Sequence, residues 1–251
     1  MDGSSRILIA GESWVTHSIH QKGFDSFTTT SYHEGVGPLR AALEASGYTV
    51  DHLPNHLASS AFPGTAEALA GYAAVVLSDI GANTLLLHPD TFEGSRPTPD
   101  RLIAIRDYVA AGGGLVMVGG YLTFQGIDAR ARYAGTPVEE ALPVTLLSGD
   151  DRVESPAGVE PVVLLSDHPI VAGLPKRWPA LLGYNRVMAR PDAAVVATVG
   201  DAPLIVAGEH GRGRGVAFTS DCGPHWCPPP FLSWEGYAPM WQQLVGWAAG
   251  G

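Results

Sequence analysis

Four short stretches of this 251-residue chain carry the residue types of acid–base chemistry. Glu12 stands near His17 and His20, Asp79 near Asn83, Tyr121 near Gln125, and Asp221 near His225. Carboxylates and imidazoles can trade protons near neutral pH, while amides and a phenol can hold a polar ligand in register. We assign candidate catalytic roles to Tyr121, Asp79, Asp221 and His225, and candidate ligand-binding roles to Glu12, His17, Asn83 and Gln125. Asp79 and Asp221 would serve equally well as turn caps.

A metal reading starts from His17 and His20, which share a face if their segment is helical. His33, Asp79 or His225 would then complete a set of transition-metal ligands. No His-Glu-x-x-His pattern accompanies them, so neither a metal nor a cofactor is expected. Gly11-Glu12-Ser13 also departs from the Gly-x-Gly-x-x-Gly of a dinucleotide site. Cys222 lies three residues before His225, but a thiol–imidazole pair needs hydrogen-bond reach that spacing alone does not supply. Cys222 reads as a small buried filler, and Cys227, beside Pro228–Pro230, as a loop residue.

The elements that must position these residues follow from apolar runs and their breakers. Arg101–Ala111 has helical spacing, Gly112–Gly114 stop it, and Leu115–Val118 is a short, wholly apolar strand. Gly119 and Gly120 then allow a sharp turn that delivers Tyr121. Arg6–Ala10, Thr49–Leu53 and Ala73–Leu77 read as three further strands, with helices over Pro38–Ser46 and around Thr65–Leu69. Strand and helix in alternation predict a parallel sheet, whose carboxyl ends share one crevice. The long segment from Glu12 to Glu34 reads as a polar and aromatic loop.

Beyond Gly126 the pattern changes. A short helix over Val138–Leu142 precedes strand candidates at Val144–Leu147, Val162–Leu164, Leu182–Ala189 and Ala193–Val199. Asp167–Leu174 reads as a turn and a brief helix. Leu204–Glu209 and Gly215–Ser220 form a hairpin around His210–Arg214, and Tyr237–Ala249 is a terminal helix with Met240, Leu244 and Trp247 on one side. The whole, residues 1–251, is read as one domain.

Fifteen basic and twenty-five acidic residues give a net charge of −10, which argues against nucleic acid or an anionic membrane as partner. No apolar stretch approaches membrane-spanning length, so a soluble cytoplasmic protein is expected. Trp226, Phe231 and Trp234 lie among prolines on a stiff backbone. They are read as a homo-oligomer contact or a lid.

Four segments in order, Leu77–Asn83, Gly119–Gly126, Gly135–Glu140 and Thr219–Trp226, resemble the class I glutamine amidotransferase-like superfamily and its putative glutamine amidotransferase family. The resemblance spans nearly the whole chain. It implies a flavodoxin-like, three-layer α/β fold with a mostly parallel central sheet and an elaborated, partly antiparallel second half. It also implies a nucleophile elbow directly after the central strand. At that turn an amidotransferase carries cysteine, paired with a late His and Glu; here the residue is Tyr121, and no His-Pro-Glu segment follows. A phenol ionises near pH 10 and is a poor nucleophile at neutral pH. The expectation is therefore a degenerate member with a polar small-molecule pocket at the carboxyl edge, hydrolytic or otherwise, that does not hydrolyse glutamine. A non-catalytic assembly or sensory module and a metal-dependent amide- or sugar-processing enzyme are the alternatives.

Overall fold

Valine, isoleucine and leucine dominate the strands that are buried on both faces, and these strands build the centre of the molecule. In the computed structural model, which describes residues 5–251, β1 (Arg6–Gly11) is followed by β2 (Ser13–Lys22) and β3 (Asp25–Glu34). Then come α1 (Gly37–Glu44), β4 (Thr49–Leu53), α2 (Asn55–Ala61), α3 (Ala66–Leu69) and β5 (Ala74–Ser78). Helices α4 (Ala82–Leu86), α5 (Pro89–Phe92) and α6 (Arg101–Ala110) lead to β6 (Gly114–Val118). The second half holds α7 (Pro137–Ala141), β7 (Val144–Leu146), β8 (Arg152–Val159), β9 (Pro161–Val163), β10 (Leu181–Asn185) and β11 (Val187–Ala189). It closes with β12 (Ala194–Val199), β13 (Ala202–His210), β14 (Gly213–Phe218), α8 (Pro229–Leu232) and α9 (Tyr237–Ala248).

Eight strands form one sheet in the order β4-β1-β5-β6-β14-β13-β12-β9. The first five are mutually parallel, and the last three extend the sheet antiparallel. Numbered by appearance, the parallel strands run 2-1-3-4-5, which is the flavodoxin order. The protein is thus α/β and flavodoxin-like, with an antiparallel extension. Side chains alternate across the sheet. Ile7, Ile9, Val76, Val116, Val118 and Phe218 pack with Leu39 and Leu43 of α1 and with Met240 and Trp241 of α9. Leu8, Ala10, Val75, Leu77, Leu115 and Met117 pack on the other face against Leu102, Ile105 and Val109 of α6. Burying each large aliphatic side chain is worth about 1.5–3 kcal/mol, so the two faces together fix the layers. Helix α6 starts where Asp100 accepts hydrogen bonds from the N–H groups of Leu102 and Ile103.

Two expectations need correction. The segment after Glu12 is not a loop: β2 and β3 form a regular antiparallel hairpin that stands out from the body. Thr, Val, Ile, Phe and Tyr favour extended backbone, and His17 with Thr30 and His20 with Thr29 bond across the strands. His17 and His20, three apart on a strand, therefore point to opposite faces. Asp167–Leu174 contains hydrogen-bonded turns but no helix. The imidazole of His168 accepts from the Ile170 N–H there, a local bond that competes with helix formation.

Candidate functional site

Strands β1, β5, β6 and β14 end on the same edge of the sheet, and the chain leaves each one within three residues of a polar or ionisable side chain. Glu12 follows β1, Asp79 follows β5, Tyr121 follows β6 after two glycines, and Asp221 follows β14. Together with Trp14, Pro224 and His225 these residues line a cavity of about 420 Å³. It lies beside the switch point between β1 and β5, where open parallel sheets place their ligands. A larger cavity of about 610 Å³, beside β9 and Trp178, lacks such a convergence; its Arg177 is bound to Glu160.

Five predicted residues meet here, and three do not. His17 lies out on the hairpin, bonded to Thr30. Asn83 and Gln125 line a different, shallow cleft with Asp128, Arg132 and Ser148. Asn83 sits inside α4, which starts after Gly81 and carries it away from the edge. Phe124, in a left-handed conformation with φ +53°, redirects the chain before Gln125. The Gln125 side chain then accepts from the Ala134 N–H and donates to the Ser148 carbonyl.

Glu12 and Asp79 are also left-handed, with φ +48° and +47°. Non-glycine residues hold that conformation only where the surroundings enforce it, and such strain gathers at functional sites. Tyr121 is not among the left-handed residues, so the strained turns of this site belong to the two carboxylates. The Glu12 carboxyl is buried and accepts a hydrogen bond of 2.5 Å from the Ser78 hydroxyl. Burial, with Asp221 and Asp79 nearby, pushes its pKa up to about 8 against the opposing Ser78 bond. At neutral pH it holds a proton. Burial likewise raises Asp79, although one of its oxygens accepts from the Leu122 N–H at 2.8 Å. The His225 imidazole lies 3.7 Å from the Asp221 carboxylate, which raises its pKa.

Aromatic rings shape the walls. Tyr121 meets His225 edge-to-face at 4.2 Å, and the Arg152 guanidinium lies 4.9 Å over the phenol. The Tyr121 hydroxyl donates to Glu154 at 3.0 Å, and Trp226 Nε1 donates to the other oxygen of the same carboxylate at 3.0 Å. Burial and Glu154 raise the phenol's pKa, so Tyr121 is a wall and a hydrogen-bond donor and does not attack as a phenolate. Behind it, Asp151 accepts from the N–H groups of Gln125 and Gly126 and from the Asn185 amide, while Asn185 accepts from the Gly120 N–H. These bonds pin the turn after β6. Sequence reasoning missed Ser78, Trp14, Asp151, Glu154 and Asn185, of which only Ser78 adjoins a residue it did select and Trp14 lies two positions from Glu12.

Cys222 and Cys227 are free and buried. Burial, together with Glu12 and Asp221, holds the Cys222 thiol well above its ordinary pKa, which removes the thiolate a nucleophile needs. Ligand atoms of Glu12, Asp221 and Cys222 lie within 4.8 Å of one another. They would hold a cation only by giving up the protons of Glu12 and Cys222. The aromatic loop is corrected as well: Trp226 and Phe231 are wholly buried, and Trp234 packs on Trp178 at 5.0 Å. Trp226 and Phe231 are therefore core and present no surface to a partner, while Trp234 is half-buried against that core.

Residues 6–249 match the family described as "Putative glutamine amidotransferase", and the chain belongs to that family. Two solved structures resemble it along nearly their full lengths. The cytoplasmic protein STM3548 from Salmonella typhimurium is 44% identical with a TM-score of 0.94, covering 96% of this chain and 98% of its own. The cytoplasmic protein STM1381 from Salmonella typhimurium LT2 is 47% identical with a TM-score of 0.93, covering 97% and 99%. A β-galactosidase from Bacillus circulans sp. alkalophilus, 13% identical with a TM-score of 0.50, shares the fold over 85% of this chain and 26% of its own. No curated protein sequence matches the chain. No helix among the described residues is long and apolar enough to cross a membrane.

Proposed function

We propose that the crevice binds a small polar molecule that is uncharged or cationic, and performs acid–base chemistry on it without a cysteine nucleophile. The observation that carries this reading is the convergence of Glu12, Asp79, Asp221 and His225 in one cavity of about 420 Å³. Three carboxyl groups face a single imidazole there, which disfavours phosphates and carboxylates. Trp14 and Tyr121 put aromatic rings into the lining, which suit the C–H groups of a polyol or an ammonium group. Glu12, protonated at neutral pH, is placed to give its proton to a leaving oxygen or nitrogen. The neutral form of His225, oriented by Asp221 and reached as pH climbs through its raised pKa, is placed to take a proton from the attacking water. The pair therefore works in the window where Glu12 still keeps its own proton. Hydrolysis of a C–O or C–N bond balances on that pair. The family's glutamine reaction lacks support: Tyr121 occupies the expected turn, and the Cys222 thiol is buried and protonated. The two Salmonella relatives carry the word cytoplasmic in their names, which supports the same location for this chain.

A thermal-shift and calorimetric series of neutral sugars, polyols and alkylamines set against phosphate, glutamate and glutamine tests the ligand class. Binding by the first group, lost in Asp221→Asn, supports the reading; binding confined to the anions sinks it. Ammonia release from glutamine should stay at background, and turnover abolished by Cys222→Ala would restore the cysteine.

A further inference from the structure

The hairpin of β2 and β3, residues 13–34, lies outside the two cores. Its anchors are all at the root: Asn55 with Ser13, His56 with Tyr32, and His52 with Glu34. From there the strands run through ten consecutive residue pairs without a register shift. Every residue of β3 is exposed, and so are nearly all of β2. Between Val15 and Gln21, and between Ser26 and Tyr32, no Lys, Arg, Asp or Glu occurs. Soluble proteins blunt long strand edges with charge, proline or bulges, and this arm uses none of them along those stretches. An isolated two-stranded hairpin is also only marginally stable in water. Both facts call for something that covers the arm.

The body displays a matching surface. Leu57 on α2, Leu86 and Leu87 at the end of α4, and Phe92 on α5 are exposed, Phe92 at 71%. Helix α2 packs against β2 at the root of the arm, and α4 packs against α2, whereas the arm's own apolar residues reach its tip, with Ile19 76% exposed and Phe24 fully so. A ten-residue strand is about 34 Å long. A chain of this size has an expected radius of gyration of about 18 Å, so the arm can reach across a neighbour. Two copies related by a two-fold axis, arms antiparallel, bring each tip to the other's root, and such an exchange closes on itself. The chain as a whole carries −10, but the arm holds only Lys22 against Asp25 and Glu34. It is therefore a segment through which two acidic molecules can approach. Lys22 near the tip would face Glu93 beside Phe92.

We propose that the arm of one copy lays Ile19, Phe24 and Phe27 on the Leu57, Leu86, Leu87 and Phe92 patch of a second copy, reciprocally. An arm and a patch on each side supply the roughly 20–30 residues of a standard interface. Trp14 ties this assembly to the crevice, because it belongs to β2 and lines the cavity.

Light scattering on the full chain, from micromolar concentration upward, should report a dimer. The double variant Ile19→Lys, Phe24→Asp should be monomeric with unchanged circular dichroism. Leu86→Glu with Phe92→Glu should give the same result from the opposite side, and it keeps the test alive if the tip variant misfolds. An oxidised mixture of Phe24→Cys and Phe92→Cys chains should form a covalent heterodimer, the native thiols being buried. A wild type that stays monomeric, arm and patch variants that stay dimeric, or a dimer that fails to cross-link would each overturn the proposal.

Discussion

Glu12 and Trp14 are one residue apart, and on either side of Ser13 the chain obeys different constraints. Toward Glu12 the backbone is left-handed, the carboxyl is buried, and its Ser78 partner comes from a strand sixty-six positions away. Toward Trp14 the same chain enters ten ladder pairs whose side chains face water. The site edge is held by non-repeating bonds, each made once; the arm is held by one simple pairing, repeated. The comparison teaches where substitutions should matter. Loss of a single atom at the edge leaves a buried group without a partner, whereas along the arm water replaces what is lost.

The largest expected effect tests that contrast at its sharpest point. Gly11 has φ +104°, and a β-carbon there would lie 1.9 Å from the Ser78 carbonyl oxygen. Gly11→Ala should therefore cost more than about 4 kcal/mol through clash and strain, read by urea denaturation. A loss below about 1 kcal/mol would show that the edge yields as readily as the arm.

The next effect is a pH dependence. The folded-state pKa of Glu12 is raised from 4.5 to about 8, so the folded chain binds a proton that the unfolded chain releases. Stability is then fullest below 4.5 and falls as pH rises to about 8, by a difference on the order of 4 kcal/mol. Asp79 and His225, also raised, act in the same direction. Glu12→Gln should flatten the slope and raise Tm above pH 8 by roughly 5–10 °C. An unchanged slope in differential scanning calorimetry would place the titrating group elsewhere.

Asp151→Ala comes third. It removes the acceptor of two backbone N–H groups and the Asn185 amide, at about 3 kcal/mol, and should speed hydrogen exchange at Gln125 and Gly126. Protection of those amides as strong as in the wild type would contradict the role given to Asp151. The smallest effect is expected at the arm's turn. Gly23 has φ +63° but nothing within 4 Å of an added β-carbon, and Asn tolerates this conformation. In the monomeric Ile19→Lys, Phe24→Asp background, Gly23→Asn should change stability by no more than about 0.5 kcal/mol. A larger loss there would mean that the turn is packed within its own chain.

The parallel strands were legible because doubly buried strands are written as continuous aliphatic runs, Leu115–Val118 being the plainest. Their carboxyl ends then brought Glu12, Asp79, Tyr121 and Asp221 to one edge by geometry alone. The arm was not legible as strand, since it has no core face and so no apolar–polar alternation; Thr28–Thr30 and Ser31 look like a loop. Gln125 went astray because φ +53° at Phe124 cannot be read from a phenylalanine. Asp151, Glu154 and Asn185 enter the site through the pairing of β8 with β10, a long-range register that local sequence does not state.

The position of β14 bears on how the chain emerges during synthesis. Strands β1, β4, β5 and β6 are complete once Val118 is made, yet β6 pairs on its far side with β14, Gly114 against Arg214. At about 5–20 residues per second, the inner edge of the sheet waits roughly 5–20 s for its neighbour. Throughout that interval Leu115–Val118, buried on both faces in the finished protein, forms an open apolar edge. The nascent chain is therefore most prone to wrong pairing late in translation, and ribosome-bound chains ending before Gly213 should recruit chaperones that the finished protein does not need.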